Sequence, residues 1–203
     1  MFHRVLLASA WLYLAVLANP ARAQTVDVNG IKFNHNVALG GSALQLNGAG
    51  TRYKTIIKVY AAALYLPAKA ATPETVLAVA GPKRMHVVML RDIDANELGK
   101  LFTRGMEDNS TREEFGKTIA GTLHLANMFA ARKKLVSGDQ FTIDYLPGRG
   151  TAISINGVQQ GEPVKEPEFF NALMRIWLGK SPADMLLKNA LLGISAPERT
   201  VGG

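Results

Sequence analysis

Arg52, Tyr53, Tyr60 and Tyr65 are the residues of this chain whose types and spacing could do chemistry. Arg52 closes the run Gly48-Ala49-Gly50-Thr51-Arg52, read as a glycine turn, and stands at the mouth of an apolar stretch, residues 56–66, whose sole charge is Lys58. A run that apolar is normally buried on both faces. A cation at its mouth needs an anionic partner or water. Its planar fork can clamp a carboxylate or a phenolate through two parallel hydrogen bonds. Tyr60 lies mid-run, where a buried hydroxyl must find a partner. The three tyrosines fall on odd and even positions and so do not share one strand face. Two readings stay open. Arg52 could be satisfied by a core carboxylate or carbonyl and Tyr60 by backbone, or both could line an apolar cleft that takes an amphipathic anion.

Other chemistries find no support. The chain lacks GxSxG, HExxH, a P-loop and a GxGxxG set between strand and helix. His35, His86 and His124 have no second histidine at ligand spacing. His86 alternates with apolar residues as a core histidine would, and His124 lies off its helix's apolar stripe. Asp92 and Asp94 read as loop and cap residues rather than an acid/base pair. With no cysteine, thiol and zinc-thiolate chemistry are excluded. No metal and no cofactor is expected. The basic cluster Arg132-Lys133-Lys134 reads as a solvated helix end, so no nucleic-acid partner is expected.

The elements that must position Arg52 and Tyr60 begin after an N-terminal segment. A basic start, Met1 to Arg4, an apolar run over residues 5–18, the break Asn19-Pro20 and Ala21-Arg22-Ala23 have the form of a secretory signal peptide, residues 1–23, cut near Ala23. Its removal takes Arg4 and Arg22 from a formal net charge of +7. The expected location is periplasmic or secreted. No later run is apolar enough to span a membrane. One domain is expected over residues 24–196, with a disordered tail at 197–203.

Asn29-Gly30 between alternating apolar residues predicts a hairpin over residues 26–33. Residues 35–42 read as loop, and residues 43–46 and 53–66 as strands on either side of the glycine turn. Thr72-Pro73-Glu74 opens a short helix. Residues 84–91 read as a strand. Asp94 starts a helix with Leu98, Leu101, Phe102 and Met106 on one face, and Thr111 starts another with an apolar stripe of Phe115, Ile119, Leu123, Ala126 and Phe129. A hairpin follows across Pro147-Gly148-Arg149-Gly150, then a turn at Asn156-Gly157. Residues 168–178 form a helix, and Ser181-Pro182 caps the last one. Strands, helices, strands, helices in that order predict an α+β domain, an antiparallel sheet with helices packed on one side.

With these elements placed, the chain resembles the chalcone isomerase-like family. The resemblance lies in GAGTR (residues 48–52), KVYAAALYL (58–66), LRDI (90–93), FFNALMRIWLGKSPAD (169–184) and LKNALLG (187–193), and it spans residues 43–193. With the signal peptide it resembles the exported bacterial branch. It implies an open-faced β-sandwich with a ligand cleft between the sheet and the helical layer. In true isomerases an arginine favours a substrate phenolate while polar side chains and water handle the ketone oxygen. Arg52 matches that arginine. Tyr60 stands in place of a threonine, Phe115 of a catalytic tyrosine, Thr122 of an asparagine and Ile176 of a serine or threonine.

Phe115 and Ile176 cannot donate a hydrogen bond to a developing oxyanion, and losing one such donor typically costs ~10²–10³ in rate. No useful chalcone isomerase activity is expected. The family also holds non-catalytic fatty-acid binders that keep the arginine. The resemblance therefore implies a binder of an amphipathic carboxylate such as a fatty acid, with Arg52, Tyr60, Phe115, Ile119, Thr122 and Ile176 as its site. An intramolecular lyase or isomerase using Arg52 and Tyr60, and an envelope scaffold with a filled cleft, stand as alternatives.

Overall fold

The computed structural model describes residues 24–194. The expected signal peptide and the expected tail lie outside the described residues. Its centre is a seven-stranded antiparallel sheet. In chain order its strands are β3 (Asn36–Leu39), β4 (Ser42–Lys54), β5 (Ile57–Leu66), β6 (Lys83–Met89), β9 (Gln140–Leu146), β10 (Gly150–Ile155) and β11 (Val158–Gln159). Across the sheet they run β11-β10-β9-β6-β5-β4-β3. A separate hairpin, β1 (Thr25–Val28) and β2 (Ile31–Asn34), turns through Asn29 and Gly30, both at positive φ, as the Asn-Gly signal requires. A short pair, β7 (Ile93–Asp94) and β8 (Lys134–Leu135), stands apart.

The helices are α1 (Pro73–Ala78), α2 (Ala95–Asp108), α3 (Arg112–Gly116), α4 (Ile119–Ala130), α5 (Pro167–Leu178) and α6 (Met185–Leu191). Side chains alternate along β5. Tyr60, Ala62, Leu64 and Leu66 join the helices in the main core, while Ala61, Ala63 and Tyr65 join Phe33 of β2 on the opposite face. The sheet is thus helix-covered on one face and partly covered by the hairpin on the other. The expected α+β class, an antiparallel sheet with a helical layer on one side, is what forms. No described helix is long and apolar enough to cross a membrane.

Four expectations are corrected. Residues 36–39 are an edge strand, not loop, paired with β4 through the turn Gly40-Gly41, where both glycines have positive φ. Gly48 to Arg52 is not a turn. It lies inside the thirteen-residue β4, and the chain reverses instead after Lys54, with Thr55 at φ 59°. The glycines serve close approach: a Cβ at Gly48 would lie 2.7 Å from the Leu191 carbonyl oxygen, and one at Gly50 2.6 Å from Ala190 Cβ. Helix α6 therefore lies directly on β4.

The third correction concerns residues 111–130. Thr118 breaks them into two helices, accepting no cap bond of its own while its amide and hydroxyl bond back to the Phe115 carbonyl. The break changes the helical phase. Ile119 and Leu123 are exposed, and Gly121, Thr122, Leu125, Met128 and Phe129 face inward. Gly121 shows why: a Cβ there would lie 2.6 Å from the Phe169 ring, so this is the side on which α5 packs. The last helix is capped not by Ser181-Pro182 but by Asp184, whose carboxylate accepts the amides of Leu186 and Leu187.

Candidate functional site

Arg52 follows Gly48 and Gly50 at period two on β4, so its side chain points to the helical side of the sheet. Its cross-strand neighbour is Tyr60. Next to this pair the ladder slips: Arg52 faces Tyr60 but Tyr53 faces Lys58, leaving Val59 unpaired with β4. The bulge puts Val59 and Tyr60 on the same side, both buried in the main core. Between this wall and α2 opens a cleft of about 680 Å³, within the size range of small-molecule sites. Val59, Leu98, Phe102 and Ile176 make its apolar floor, each under 8% exposed. Its rim is charged, with Lys54, Arg91 and Arg104 facing Asp94, Glu97 and Asp108.

Arg52 is partly buried, and among the described residues its side chain makes one hydrogen bond, a long one to the Tyr53 carbonyl at 3.5 Å. Among the described residues no carboxylate lies within ion-pair distance of it. Asp184, which bonds the amide of the next residue, is held by three amides, those of Tyr53 (2.7 Å), Leu186 (2.7 Å) and Leu187 (3.2 Å). The guanidinium is left facing the cleft with its donors unspent.

Tyr60 is 2% exposed. Its hydroxyl oxygen accepts from Trp177 Nε1 at 2.8 Å, and among the described residues it donates to no acceptor, so its own proton is free for the cleft. Burial pushes this phenol up to about 12, against the pull of Arg52 and of the Trp177 hydrogen bond. Burial does the same for Tyr65, also about 12, on the other face. A folded-state value above the unfolded one, near 10, means that the native state holds its proton longer. That stability is whole below pH 10 and is lost as pH rises towards 12. A two-unit difference corresponds to about 2–3 kcal/mol per tyrosine. The melting temperature should therefore fall between pH 10 and 12, and Tyr60→Phe should flatten part of the fall. A Tyr60→Phe profile parallel to that of the wild type would refute the assignment.

Of the sequence-predicted site residues, the structure brings together Arg52, Tyr60 and Ile176. Phe115 is partly buried against the core outside the cleft lining, and Ile119 faces solvent at 57% exposure. Thr122 is buried beneath the helices, its hydroxyl 3.4 Å from that of Thr118 and 3.9 Å from Met106 Sδ. Leu101, from the same helix face as Leu98 and Phe102, also lines the cleft. Trp177 was not singled out as a functional residue. It sits in the apolar stripe of α5, and nothing in a linear reading pairs it with Tyr60, 117 positions away. Arg91 and Arg104 also line the cleft; in the linear sequence Arg91 reads only as the end of a strand, and nothing marks Arg104. His86 bonds Gln140 and stacks edge-on against Phe33, as a core histidine does, and Asp92 and Asp94 serve as loop and cap acceptors. No cluster of metal-ligating side chains occurs among the described residues.

A sheet whose helical face opens beside an arginine on its strand is the arrangement that the family resemblance implies, and a family model confirms the resemblance. The model described as chalcone isomerase-like matches residues 25–193. The chain belongs to the chalcone isomerase-like family. Among solved structures, a fatty-acid binding protein of Arabidopsis thaliana has the same fold, with a TM-score of 0.65 over 83% of this chain and 96% of that one, at 14% identity. No curated protein matches in sequence. Within this chalcone isomerase-like fold, the position two residues before Leu178 is Ile176, a buried hydrocarbon on the cleft floor that donates no hydrogen bond.

Proposed function

We propose that this chalcone isomerase-like protein binds an amphipathic carboxylate of the fatty-acid class and does so in the periplasm, after cleavage near Ala23. The observation that carries the reading is Arg52, partly buried on the wall of an apolar-floored cleft with no carboxylate partner of its own. A carboxylate would take its two parallel donors, and the free proton of Tyr60 adds a third hydrogen bond. The hydrocarbon would lie over Val59, Leu98, Phe102 and Ile176. The fatty-acid binding protein that shares this fold supports the reading, and the volume of the cleft argues against a scaffold whose cleft is filled by its own side chains.

The test is a calorimetric titration with palmitate of protein recovered by osmotic shock, whose chain should begin at Gln24. A charge-assisted contact of this kind is worth roughly 1.5–3 kcal/mol, so Arg52→Ala should weaken binding about ten- to a hundred-fold. Equal affinity in the two proteins would sink the reading. A second reading, an intramolecular lyase, is favoured by the one available acid: the Tyr60 proton beside the Arg52 cation. It requires a substrate whose turnover is lost in both Arg52→Ala and Tyr60→Phe while the fold survives. Chalcone is not expected to be that substrate, because Ile176 lines the floor where a polar donor would be needed.

A further inference from the structure

We propose that the tip of the β4–β5 hairpin, with the start of α6, is a docking surface that seats the mouth of the cleft on an anionic lipid bilayer. The surface itself stands apart from the ligand assignment. Its use as an entry route for an amphipathic ligand rests on that assignment.

The tip reads Lys54-Thr55-Ile56-Ile57-Lys58. Ile56 is 86% exposed at its apex and Ile57 45%. The chain's other tight turns use the residues such turns favour, Asn29-Gly30 and Asn156-Gly157, both at positive φ. Here a β-branched threonine takes φ 59°, a conformation that such side chains rarely adopt, and an isoleucine projects into solvent beside it. Folding alone favours neither residue at that place, and local strain of this kind collects where a surface has a task.

The neighbouring element adds to the patch. The Tyr53 amide donates to Asp184 at 2.7 Å and fixes the first turn of α6 against the end of β4. Met185 and Leu186, at 54% and 64% exposed, therefore stand beside the tip. Residues 52–58 carry Arg52, Lys54 and Lys58 and no acid, and the nearby Asp184 carboxylate is bound to backbone amides. A few exposed apolar side chains ringed by lysines suit a bilayer interface, where the hydrocarbon enters and the ammonium groups reach the anionic head groups. They are far too few for a stable protein interface, which needs about 800 Å² from each partner. Lys54, Thr55 and Ile57 also line the cleft, so the tip is one lip of its mouth. A bilayer contacted there would lie against the opening.

Flotation of the ligand-free protein with vesicles tests this, comparing pure phosphatidylcholine with phosphatidylcholine containing phosphatidylglycerol. The wild type should float with the anionic vesicles and less so at high salt. Ile56→Ser combined with Leu186→Ser, neither of which lines the cleft, should cut partition about ten-fold or more, from the apolar surface withdrawn. Lys58→Gln should weaken it less. The double variant should keep its vesicle-free affinity for palmitate, so the surface and the cleft are judged separately. No flotation of the wild type, or equal flotation of the double variant, would overturn the docking assignment and leave the cleft reading untouched. A dimer of the wild type that the double variant dissolves would give the surface to a second copy and also overturn it.

Discussion

Gly48→Val should unfold the protein about 10 °C below the wild type, with α6 the first element to detach. The cause is steric and leaves little room for relief. The atoms that a side chain at Gly48 would meet are the backbone oxygen and carbon of Leu191, at 2.7 and 2.8 Å from its Cβ, not the end of a flexible side chain. The backbone of α6 would have to move off the sheet, and Leu187 and Leu191, both fully buried beneath it, would move with it. Overpacking of this kind costs about 3 kcal/mol or more where neighbours cannot yield. In a domain of this size that corresponds to roughly 6–12 °C. Asn47, one residue earlier, couples the same contact to the loop before α1, since its side-chain amide donates to both Ala70 and Leu191 carbonyls. Gly116→Ala is the matched control. Nothing lies within 4 Å of its added methyl and its φ is not positive, so its melting temperature should hold or rise slightly. Thermal unfolding followed by circular dichroism, with hydrogen exchange across α6, checks both. A Gly48→Val protein as stable as the Gly116→Ala one would show that α6 does not need the bare backbone of β4.

That contact also marks the limit of what the sequence discloses. Signals that act within a few residues were legible: Asn29-Gly30 and Asn156-Gly157 as hairpin turns, Thr72, Asp94 and Thr111 as helix caps, and the apolar run of β5 as a strand buried on both faces. Signals whose cause lies far along the chain were not. Gly48 and Gly50 punctuate a one-dimensional reading as a turn, because glycine serves turns and close approach alike. Only α6, some 140 residues later, shows which applies. The α4 stripe misled for a related reason. Ile119 and Leu123 fit a helical period, but the break at Thr118 resets the phase, and Gly121 selects the packed side by admitting Phe169. Strand β3 carries so few buried residues at the sheet edge that its alternation hardly differs from loop.

The site divides in the same way. Arg52 and Tyr60 were legible because one is a cation at the mouth of an apolar run and the other a phenol within it, and burial makes such residues conspicuous. The hydrogen bond that fixes Tyr60 comes from Trp177, and the bulge that turns Val59 and Tyr60 to one side depends on a mismatch between β4 and β5. Both are relations between elements. Arg52 was read as the mouth of a core with its partner undecided. The structure adds that among the described residues no carboxylate lies within ion-pair distance of Arg52, and that nearby Asp184 is committed to the amides of Tyr53, Leu186 and Leu187.

The commitment of Asp184 leads to an expected divergence between two substitutions. Asp184→Ala removes the cap of α6 and strands the Tyr53 amide that ties α6 to β4. A lost cap costs about 1 kcal/mol and a part-buried amide without a partner about 1–3 more, for a total near 2–4 kcal/mol. Melting should drop by roughly 5–10 °C, and affinity for an anionic amphipath should fall although Arg52 is intact, because the end of β4 that carries it loses its anchor. Asp184→Asn separates geometry from charge. Its one oxygen can accept either the Tyr53 amide or the α6 amides, and its NH2 group then meets the other as donor against donor, so its stability should fall between those of the wild type and Asp184→Ala. It also removes a negative charge close enough to the cleft to raise the pKa of the Tyr60 phenol. An anion approaching Arg52 should then bind a few-fold more tightly, since a like charge nearby is gone. Parallel titrations of the two variants at low and high salt read this directly. Tighter binding in Asp184→Asn that fades with salt, beside weaker binding in Asp184→Ala, is the pattern expected of a carboxylate site at Arg52. A fall in both that is largest at low salt would mean that the Asp184 charge helps the ligand, which an anionic head group at this arginine does not allow.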